Sequence, residues 1–337
     1  MIIQLSKDIN KTQLDALENC LADMKFSSNH IKTQFQNYIV GVGKKEIDLR
    51  VIGGLDGISD IHRVSDAYKL VSKKWKIKDT EIDLEDDVKI GNSNFAVMTG
   101  PCSIESEDQI RDTIGLMKRQ GVKIMRGGVY KPRSSPYSFR GLGLEGLKMW
   151  HKIASENGIK IITEVMMTEQ IDAMIDYIDI FQVGARNSQN FNLLDALGKV
   201  DKPVLLKRGI SGTIDELLQA AEYIFSNGNE RIMLCERGIR SYESAYRNTF
   251  DINAISMLKA KTHLPVIADP SHGIGVRKHV SDIALAAVMA GADGVIFESH
   301  TIPEKAFSDG QQTLNFEEAT RLIDHIQRTV NFRDSLI

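Results

Sequence analysis

The chain of 337 residues has 42% hydrophobic and 26% charged residues and a formal net charge of −3 at pH 7. This balance excludes a general electrostatic attraction to nucleic acid or to an anionic membrane, so any cationic site must be local. No apolar run reaches the roughly 18 residues of a membrane span, and the N-terminus turns polar too soon for a signal peptide. The three cysteines, Cys20, Cys102 and Cys235, lie far apart and give no disulfide framework, which predicts a cytoplasmic protein.

Residues 1–72 are predicted to form a small domain of their own. After Asn10, a good N-cap, leucines recur at helical spacing. The predicted elements follow the order β-α-β-β-α-β, with strands at Ile2–Leu5, His30–Thr33, Tyr38–Val42 and Ile58–Val64, a helix through Leu14–Met24 and a weaker helix at Ile47–Leu55. This order is typical of a ferredoxin-like fold. Only Tyr38 is placed to stack on a base, which argues against RNA binding.

Residues 73–93 form a connector that carries both charge signs and no flexible Gly/Ser tract, so we expect it to be ordered. Within it, Val88–Ile90 is predicted to be a short strand that closes the base of the next domain.

Residues 94–337 alternate short apolar strands with amphipathic helices such as Ile214–Phe225 and Val280–Ala290. Eight strands are predicted, at Phe95–Thr99, Val122–Met125, Ile159–Glu164, Ile178–Val183, Pro203–Lys207, Arg231–Cys235, Pro265–Ala268 and Gly294–Glu298. Eight strand–helix pairs over this length are typical of an α/β (β/α)8 TIM barrel. The alternative, a doubly wound open sheet, would usually show a single glycine-rich phosphate turn instead of polar residues after nearly every strand.

Polar residues follow the carboxyl end of each predicted strand, and in a barrel these ends converge on one face, where active sites form. Six of these residues are cations: Arg126, Lys131, Arg133, Arg186, Lys207 and Arg237. The segment Lys123–Ser135 alone contains three of these cations, together with two glycines and two adjacent serines. This composition is compatible either with an anion-binding loop or with a solvated basic turn. Six cations around one cavity would repel one another, so they imply a substrate with phosphate and carboxylate groups.

A second set combines one thiol, one imidazole and two carboxylates: Cys102, His272, Glu298 and Asp309. This donor set suits a divalent transition metal but does not choose among manganese, iron, cobalt and zinc. The spacing is scattered, with no CxxC or HExxH pattern. Cys102 is therefore also compatible with a buried small residue, and His272 with a loop histidine bonded to backbone. Cys235 is predicted to lie in the core of its strand.

Several motifs resemble those of 3-deoxy-D-arabino-heptulosonate 7-phosphate (DAHP) synthase, the first enzyme of the shikimate pathway. The resemblance covers nearly the whole chain and depends on GPCSIES, RGGVYKPRSSPYSF, VGARNSQNF, KPVLLKRG, LCERGIR, ADPSHG and the pair FES and SDG. The chain is most similar to the subgroup with a short ferredoxin-like (ACT-like) regulatory domain. The family usually has threonine where Ser134 stands, and small polar residues where Gly273-Ile274-Gly275 follow the histidine.

The resemblance implies a condensation of phosphoenolpyruvate with erythrose 4-phosphate that releases phosphate. It implies the divalent metal at Cys102, His272, Glu298 and Asp309. It implies phosphoenolpyruvate at Arg126, Lys131, Ala185, Arg186, Lys207 and Arg237, and the phosphate of erythrose 4-phosphate at Arg133 and Ser134. Lys131 and His272 are the candidates for proton transfer. The resemblance further implies feedback inhibition by tyrosine or phenylalanine at the N-terminal domain, and it implies a homotetramer. The alternative for the N-terminal domain is that it only shields or assembles the barrel.

The nearest rival is the sister synthase that uses arabinose 5-phosphate to make 3-deoxy-D-manno-octulosonate 8-phosphate. That enzyme carries an Asn-Arg-Ser pattern where this chain has Lys131-Pro132-Arg133-Ser134-Ser135, and it normally lacks an N-terminal domain. Two more distant alternatives are a binding protein on an inactive barrel and a metal-free phosphosugar isomerase.

Overall fold

The computed structural model describes residues 1–43, 48–131, 135 and 137–336. Near the N-terminus, four strands form one antiparallel sheet in the order β2-β3-β1-β4. The strands are β1 (Ile2–Leu5), β2 (Ser27–Lys32), β3 (Asn37–Val42) and β4 (Ile58–His62), and the helices are α1 (Lys11–Asp23) and α2 (Leu49–Gly53). This is the predicted ferredoxin-like topology. The helix predicted at Ile47–Leu55 is shorter than expected, and residues 44–47 lie outside the described part of the chain.

Local sequence explains the start of α1. The side chain of Asn10 accepts a hydrogen bond from the backbone N–H of Gln13 at 3.0 Å, and the side chain of Gln13 accepts one from the backbone N–H of Asn10 at 3.0 Å. This reciprocal capping box satisfies two backbone donors that the helix leaves unpaired. Leu17 and Leu21 are then fully buried against the sheet.

A short hairpin follows the small sheet and lies against the barrel. Its strands are β5 (Ile82–Asp83) and β6 (Lys89–Ile90), so the strand predicted at Val88–Ile90 is present. The hairpin's apolar side chains pack into the same cluster as the interior side chains of the barrel strands, among them Cys235. The hairpin therefore closes one end of the barrel, and Cys235 is a core residue, as predicted.

Eight parallel strands form a closed barrel, and this confirms the predicted fold class. They are β7 (Ala96–Gly100), β8 (Ile124–Arg126), β9 (Lys160–Val165), β10 (Ile180–Val183), β11 (Val204–Lys207), β12 (Ile232–Glu236), β13 (Val266–Ala268) and β14 (Gly294–Glu298). The predicted strand bounds differ from these by two residues at most. Pairing of β14 with β7 completes the ring.

Helices surround the barrel. They are α3 (Glu107–Gln120), α4 (Gly143–Glu156), α5 (Glu169–Met174), α6 (Phe191–Leu197), α7 (Ile214–Ser226), α8 (Ile252–Lys261), α9 (Pro270–Ile274), α10 (Val280–Met289) and α11 (Phe316–Asp334). The short α9 lies directly after β13, at the strand ends, and carries His272. Within the described residues, no helix combines the length and apolarity needed to cross a membrane.

The small sheet is packed against the barrel through an aromatic contact. The ring of Tyr38 on β3 meets the rings of Trp75 and Phe225 edge to face, at centroid distances of 5.4 and 6.2 Å. Beside it, the hydroxyl of Thr33 donates a buried 2.5 Å hydrogen bond to Glu230. Glu230 precedes β12, so the small sheet sits toward the end of the barrel opposite the strand carboxyl ends.

Candidate active site

A cavity of about 230 Å³ opens at the carboxyl ends of the barrel strands. Residues in or after each of the eight strands line it, namely Cys102, Arg126, Gly127, Gly128, Lys131, Glu164, Gln182, Gly184, Ala185, Arg186, Lys207, Ile210, Arg237, Arg240, Arg247, Asn248, His272 and Asp309. The structure thus brings most of the predicted site residues to one cavity. Arg133 and Ser134 lie outside the described residues.

A thiol–carboxylate cluster lies in the cavity wall. One ligand atom each from Cys102, Glu298 and Asp309 lie within 4.8 Å of one another. The thiol of Cys102 is 3.3 Å from Oδ2 of Asp309, and Nζ of Lys131 is 3.0 Å from Sγ of Cys102. Nε2 of His272 lies 3.6 Å from Oε1 of Glu298. The four residues predicted as metal ligands therefore lie together, with the imidazole at the edge of the cluster.

Burial and the adjacent Glu298 carboxylate raise the pKa of the Cys102 thiol to about 12. The cause is that a thiolate would be desolvated and would face two carboxylates. A divalent cation at this point would reverse both effects, because it stabilises thiolate and carboxylate together. The donor set of sulfur, oxygen and imidazole nitrogen is one that divalent transition metals accept. The residues present therefore fit such a metal.

Asp269 holds two of the cavity side chains and was not predicted as a site residue. Its Oδ2 accepts a 2.5 Å hydrogen bond from Nζ of Lys207 and lies 2.8 Å from Nδ1 of His272. Burial alone would raise the pKa of this carboxyl, but His272 and Lys207 hold it well below its usual range. Asp269 is also the N-cap of α9, since its Oδ1 accepts from the backbone N–H of His272 at 3.1 Å. Its position directly after a predicted strand was the signal that could have identified it.

The cavity cations differ in their partners. Nη1 of Arg126 donates to the carbonyl oxygen of Pro101 at 2.8 Å and to Oε1 of Glu298 at 3.2 Å, while its Nε is buried with no partner in the described part of the chain. Arg237 is also buried, and burial lowers its pKa. Buried guanidinium N–H groups that lack hydrogen-bond acceptors form a favourable binding site for an anion.

A profile of the DAHP synthetase I family matches residues 78–331. The chain belongs to the DAHP synthetase I family. It is 47% identical over 274 residues to a phospho-2-dehydro-3-deoxyheptonate aldolase of Thermotoga maritima, which covers 81% of each chain. It is 31% identical over 262 residues to a 2-dehydro-3-deoxyphosphooctonate aldolase of Acidithiobacillus ferrooxidans, which covers 71% of this chain and 92% of that relative.

Two solved structures are similar to this member of the DAHP synthetase I family. The crystal structure of a phospho-2-dehydro-3-deoxyheptonate aldolase (DAHP synthase) from Thermotoga maritima has a TM-score of 0.78 and 40% identity, and covers 99% of this chain and 97% of that chain. A truncated form of 3-deoxy-D-arabino-heptulosonate 7-phosphate synthase from the same organism has a TM-score of 0.73 and 43% identity, and covers 80% and 97%. These similarities confirm the predicted family and the predicted enzyme class, 3-deoxy-7-phosphoheptulonate synthase, over the octulosonate rival.

Within the family motif VGARN, Gly184 lies close to the side chain of Glu164. A Cβ atom on Gly184 would lie 2.1 Å from Oε1 of Glu164, so a larger residue between the ends of β9 and β10 would require the Glu164 carboxylate to move. The chain then turns through a short 3-10 helix that places Ala185 and Arg186 on the cavity wall. Arg186 is exposed, in contrast to the buried Arg126. Arg186 therefore lies toward the solvent side of the site.

Sequence reasoning missed the residues that the loop after β12 contributes. Arg240, Arg247 and Asn248 line the cavity of this DAHP synthetase I family member. Nη1 of Arg247 donates to Oε1 of Gln312 at 2.7 Å, and Nε2 of Gln312 donates to Oε2 of Glu298 at 2.7 Å. This relay connects the cavity wall to the thiol–carboxylate cluster. No periodic pattern marks this loop, so only its nearness to the predicted strand end could have suggested it.

Proposed function

We propose that the chain condenses phosphoenolpyruvate with erythrose 4-phosphate to give DAHP and inorganic phosphate, with a divalent metal at Cys102, His272, Glu298 and Asp309. One observation carries the proposal: buried cations converge on the cavity directly beside the thiol–carboxylate cluster. That arrangement suits a substrate that bears phosphate and carboxylate groups and reacts next to a metal. When bound, the metal would supply Lewis-acid polarisation of the aldehyde oxygen.

The protein's side chains would bind and orient phosphoenolpyruvate. Arg126, Lys207 and Arg237 lie buried at the base of the cavity and would hold its phosphate and carboxylate groups through charge-assisted hydrogen bonds. Ala185 and Arg186 would complete the contact from the solvent side. Fixing the enol in one orientation removes much of the entropic barrier to bond formation.

The reaction forms one carbon–carbon bond and one carbon–oxygen bond, and it breaks the carbon–oxygen bond that joins C2 to the phosphate. C3 of phosphoenolpyruvate attacks the aldehyde carbon of erythrose 4-phosphate, water adds at C2, and phosphate leaves from the resulting hemiketal. Lys131 and His272 would hold and transfer the protons. Although burial alone would lower it, the neighbouring Cys102 sulfur and Glu298 carboxylate raise the pKa of Lys131, so this side chain suits the role of acid.

Three finer proposals complete this function. Arg133 and Ser134 would bind the phosphate of erythrose 4-phosphate, because a basic residue and a hydroxyl follow Lys131 in the same loop. The N-terminal domain would bind tyrosine or phenylalanine as a feedback effector, which its docking against the barrel supports. The enzyme would work in the cytoplasm as a homotetramer, as in the family that it resembles.

The deciding experiment compares phosphoenolpyruvate consumption with erythrose 4-phosphate and with arabinose 5-phosphate, each with and without EDTA. The proposal expects turnover with erythrose 4-phosphate that EDTA removes and manganese restores. Turnover with arabinose 5-phosphate instead would move the function to octulosonate synthesis. Full activity in EDTA would contradict the metal site, and no turnover of either sugar by metal-loaded protein would leave a binding protein as the better interpretation.

A further inference from the structure

A buried ion cluster lies just outside the cavity, where it touches the start of α8. Nη1 of Arg208 donates to Oε2 of Glu236 at 2.8 Å and to Oδ2 of Asp251 at 2.9 Å. The side chains of Arg208 and Glu236 are 6% and 0% exposed. Burying charges costs free energy even when they are paired. The proposed chemistry uses none of these three groups, so their presence calls for another role.

Along β11 and β12, residues of the buried ion cluster alternate in sequence with the cations of the cavity. Lys207 ends β11 and is in register with Cys235 of β12, whose side chain lies inside the barrel. Successive side chains of a strand point to opposite faces. Lys207 and Arg237 therefore line the cavity, whereas Arg208 and Glu236 point away from it.

This alternation leaves Arg237 without a directly contacting carboxylate among the described residues, although Glu236 precedes it in the chain. Nη1 of Arg237 donates to the carbonyl oxygen of Gly238 at 3.1 Å, and in the part of the chain that the structure describes Arg237 forms no ion pair. Burial lowers the pKa of Arg237, and the nearby Asp269 carboxylate offsets this effect only in part. Glu236 is instead occupied by Arg208 on one oxygen and by the backbone N–H of Gly238, at 2.6 Å, on the other.

We propose that Arg208 is a positioning residue that holds the Glu236 carboxylate away from Arg237 and so keeps Arg237 available for an anionic group of phosphoenolpyruvate. The inference rests on the proposed function. A further contact fixes the arrangement, since Nε of Arg208 donates to the carbonyl oxygen of Gly212 at 2.9 Å. Without the charge of Arg208, the buried Glu236 carboxylate would need another cation, and Arg237 is adjacent to it in the chain.

The test is a double-mutant cycle on the full-length, metal-loaded enzyme. It measures kcat, the KM for phosphoenolpyruvate and the Kd of phosphoenolpyruvate by titration calorimetry. Arg208→Met is expected to raise both KM and Kd about tenfold and to change kcat less, because an interaction with the bound substrate weakens. Adding Glu236→Gln is expected to bring both constants back to within about threefold of wild type, because the competing charge is gone.

A structural role for Arg208 predicts a different result. If the double variant folds but binds phosphoenolpyruvate as weakly as Arg208→Met, the proposal is wrong. If Arg208→Met does not fold, Arg208→Lys provides a second test because it keeps the positive charge. Its KM for phosphoenolpyruvate should stay within about threefold of wild type. A larger rise in KM in folded protein would also overturn the proposal.

A matched control separates general from local effects. Arg231→Met removes an arginine–carboxylate pair, with Asp201 at 3.2 Å, at the other end of β12. This variant should leave KM and Kd for phosphoenolpyruvate unchanged. A wild-type enzyme that consumes no phosphoenolpyruvate with erythrose 4-phosphate would contradict the proposed function itself, so the two failures are distinguishable.

Discussion

Oδ2 of Asp269 lies 2.8 Å from Nδ1 of His272, and the Nε2 atom of the same ring lies 3.6 Å from Oε1 of Glu298. Nδ1 is not aligned for a hydrogen bond within the described residues, but a carboxylate at that distance still favours the tautomer with the proton on Nδ1, which leaves the lone pair of Nε2 available to a metal. Asp269 also accepts the hydrogen bond from Lys207. One carboxylate therefore orients a proposed metal ligand and a proposed substrate cation together.

Asp269→Asn should weaken metal affinity by roughly 10–100-fold, the usual effect of losing a carboxylate behind a ligating histidine. The physical reason is that an amide no longer fixes the imidazole tautomer. Metal titration of chelator-stripped protein gives the affinity directly. The control is Asp282→Asn, which changes an exposed carboxylate 3.4 Å from His279. Unchanged metal affinity in folded Asp269→Asn protein would remove Asp269 from this role.

Cys102→Ala should abolish metal-dependent turnover while leaving the fold intact. The thiol is buried and its pKa is raised to about 12, chiefly by burial and then by Glu298, so its ionisation depends on a cation in the cluster. The measurements are turnover after metal reloading, bound metal per chain and the melting temperature. Cys20→Ala, in the half-buried position on α1, is the control. Full activity in Cys102→Ala would refute the assignment of this ligand.

The barrel could be predicted because each strand is a short apolar run and each run ends at a polar residue. Those ends converge only in a closed parallel barrel, so the chain order alone brings Cys102 and Asp309 together. Asp269 was missed because one of its partners, Lys207, lies 62 residues away in the chain and reaches it only when β11 takes its place in the barrel. Gln312 was missed for a similar reason, since its two partners are 14 and 65 residues away in the chain.

His263 gives the fold a defined acid sensitivity. Its Nε2 lies 2.8 Å from the carbonyl oxygen of Leu70, which can only accept, so Nε2 carries the proton and Nδ1 accepts from the hydroxyl of Thr80 at 2.7 Å. Burial lowers the pKa of His263 to about 3. The unfolded chain therefore binds this proton more readily than the folded chain does at mildly acidic pH.

The expected result is a loss of stability as pH falls from about 6.5 toward 3, at up to roughly 1.4 kcal/mol per pH unit from this group. The contribution of His263 to stability is complete above its pKa in the unfolded chain, about 6.5. It is lost as the pH falls toward its pKa in the folded chain, about 3. Denaturant unfolding at pH 7, 6 and 5 measures the slope. His263→Gln should be less stable at pH 7 and show a shallower slope, whereas the exposed His279→Gln should follow wild type. Parallel slopes for His263→Gln and wild type would contradict this account.

The position of the N-terminal truncation should decide how stable the remaining barrel is. The small sheet ends at His62, but Leu70 and Trp75 pack into the main core of the barrel. The carbonyl oxygen of Leu70 accepts hydrogen bonds from Nε1 of Trp75 and from His263, both at 2.8 Å. A truncation that removes this carbonyl leaves two buried donors unpaired, each at a cost of roughly 1–3 kcal/mol.

Removing residues 1–63 should therefore leave catalysis intact and end inhibition by tyrosine or phenylalanine, with little change in the stability of the barrel. Removing residues 1–72 should also keep catalysis and end inhibition, but with a melting temperature lower by several degrees, because buried donors lose their acceptor. Both truncations are compared with the full chain by turnover, by effector titration and by thermal unfolding. Inhibition that persists at the same effector concentration would refute the regulatory role of the domain. Equal melting temperatures for the two truncations would show that residues 64–72 do not contribute to the stability of the barrel.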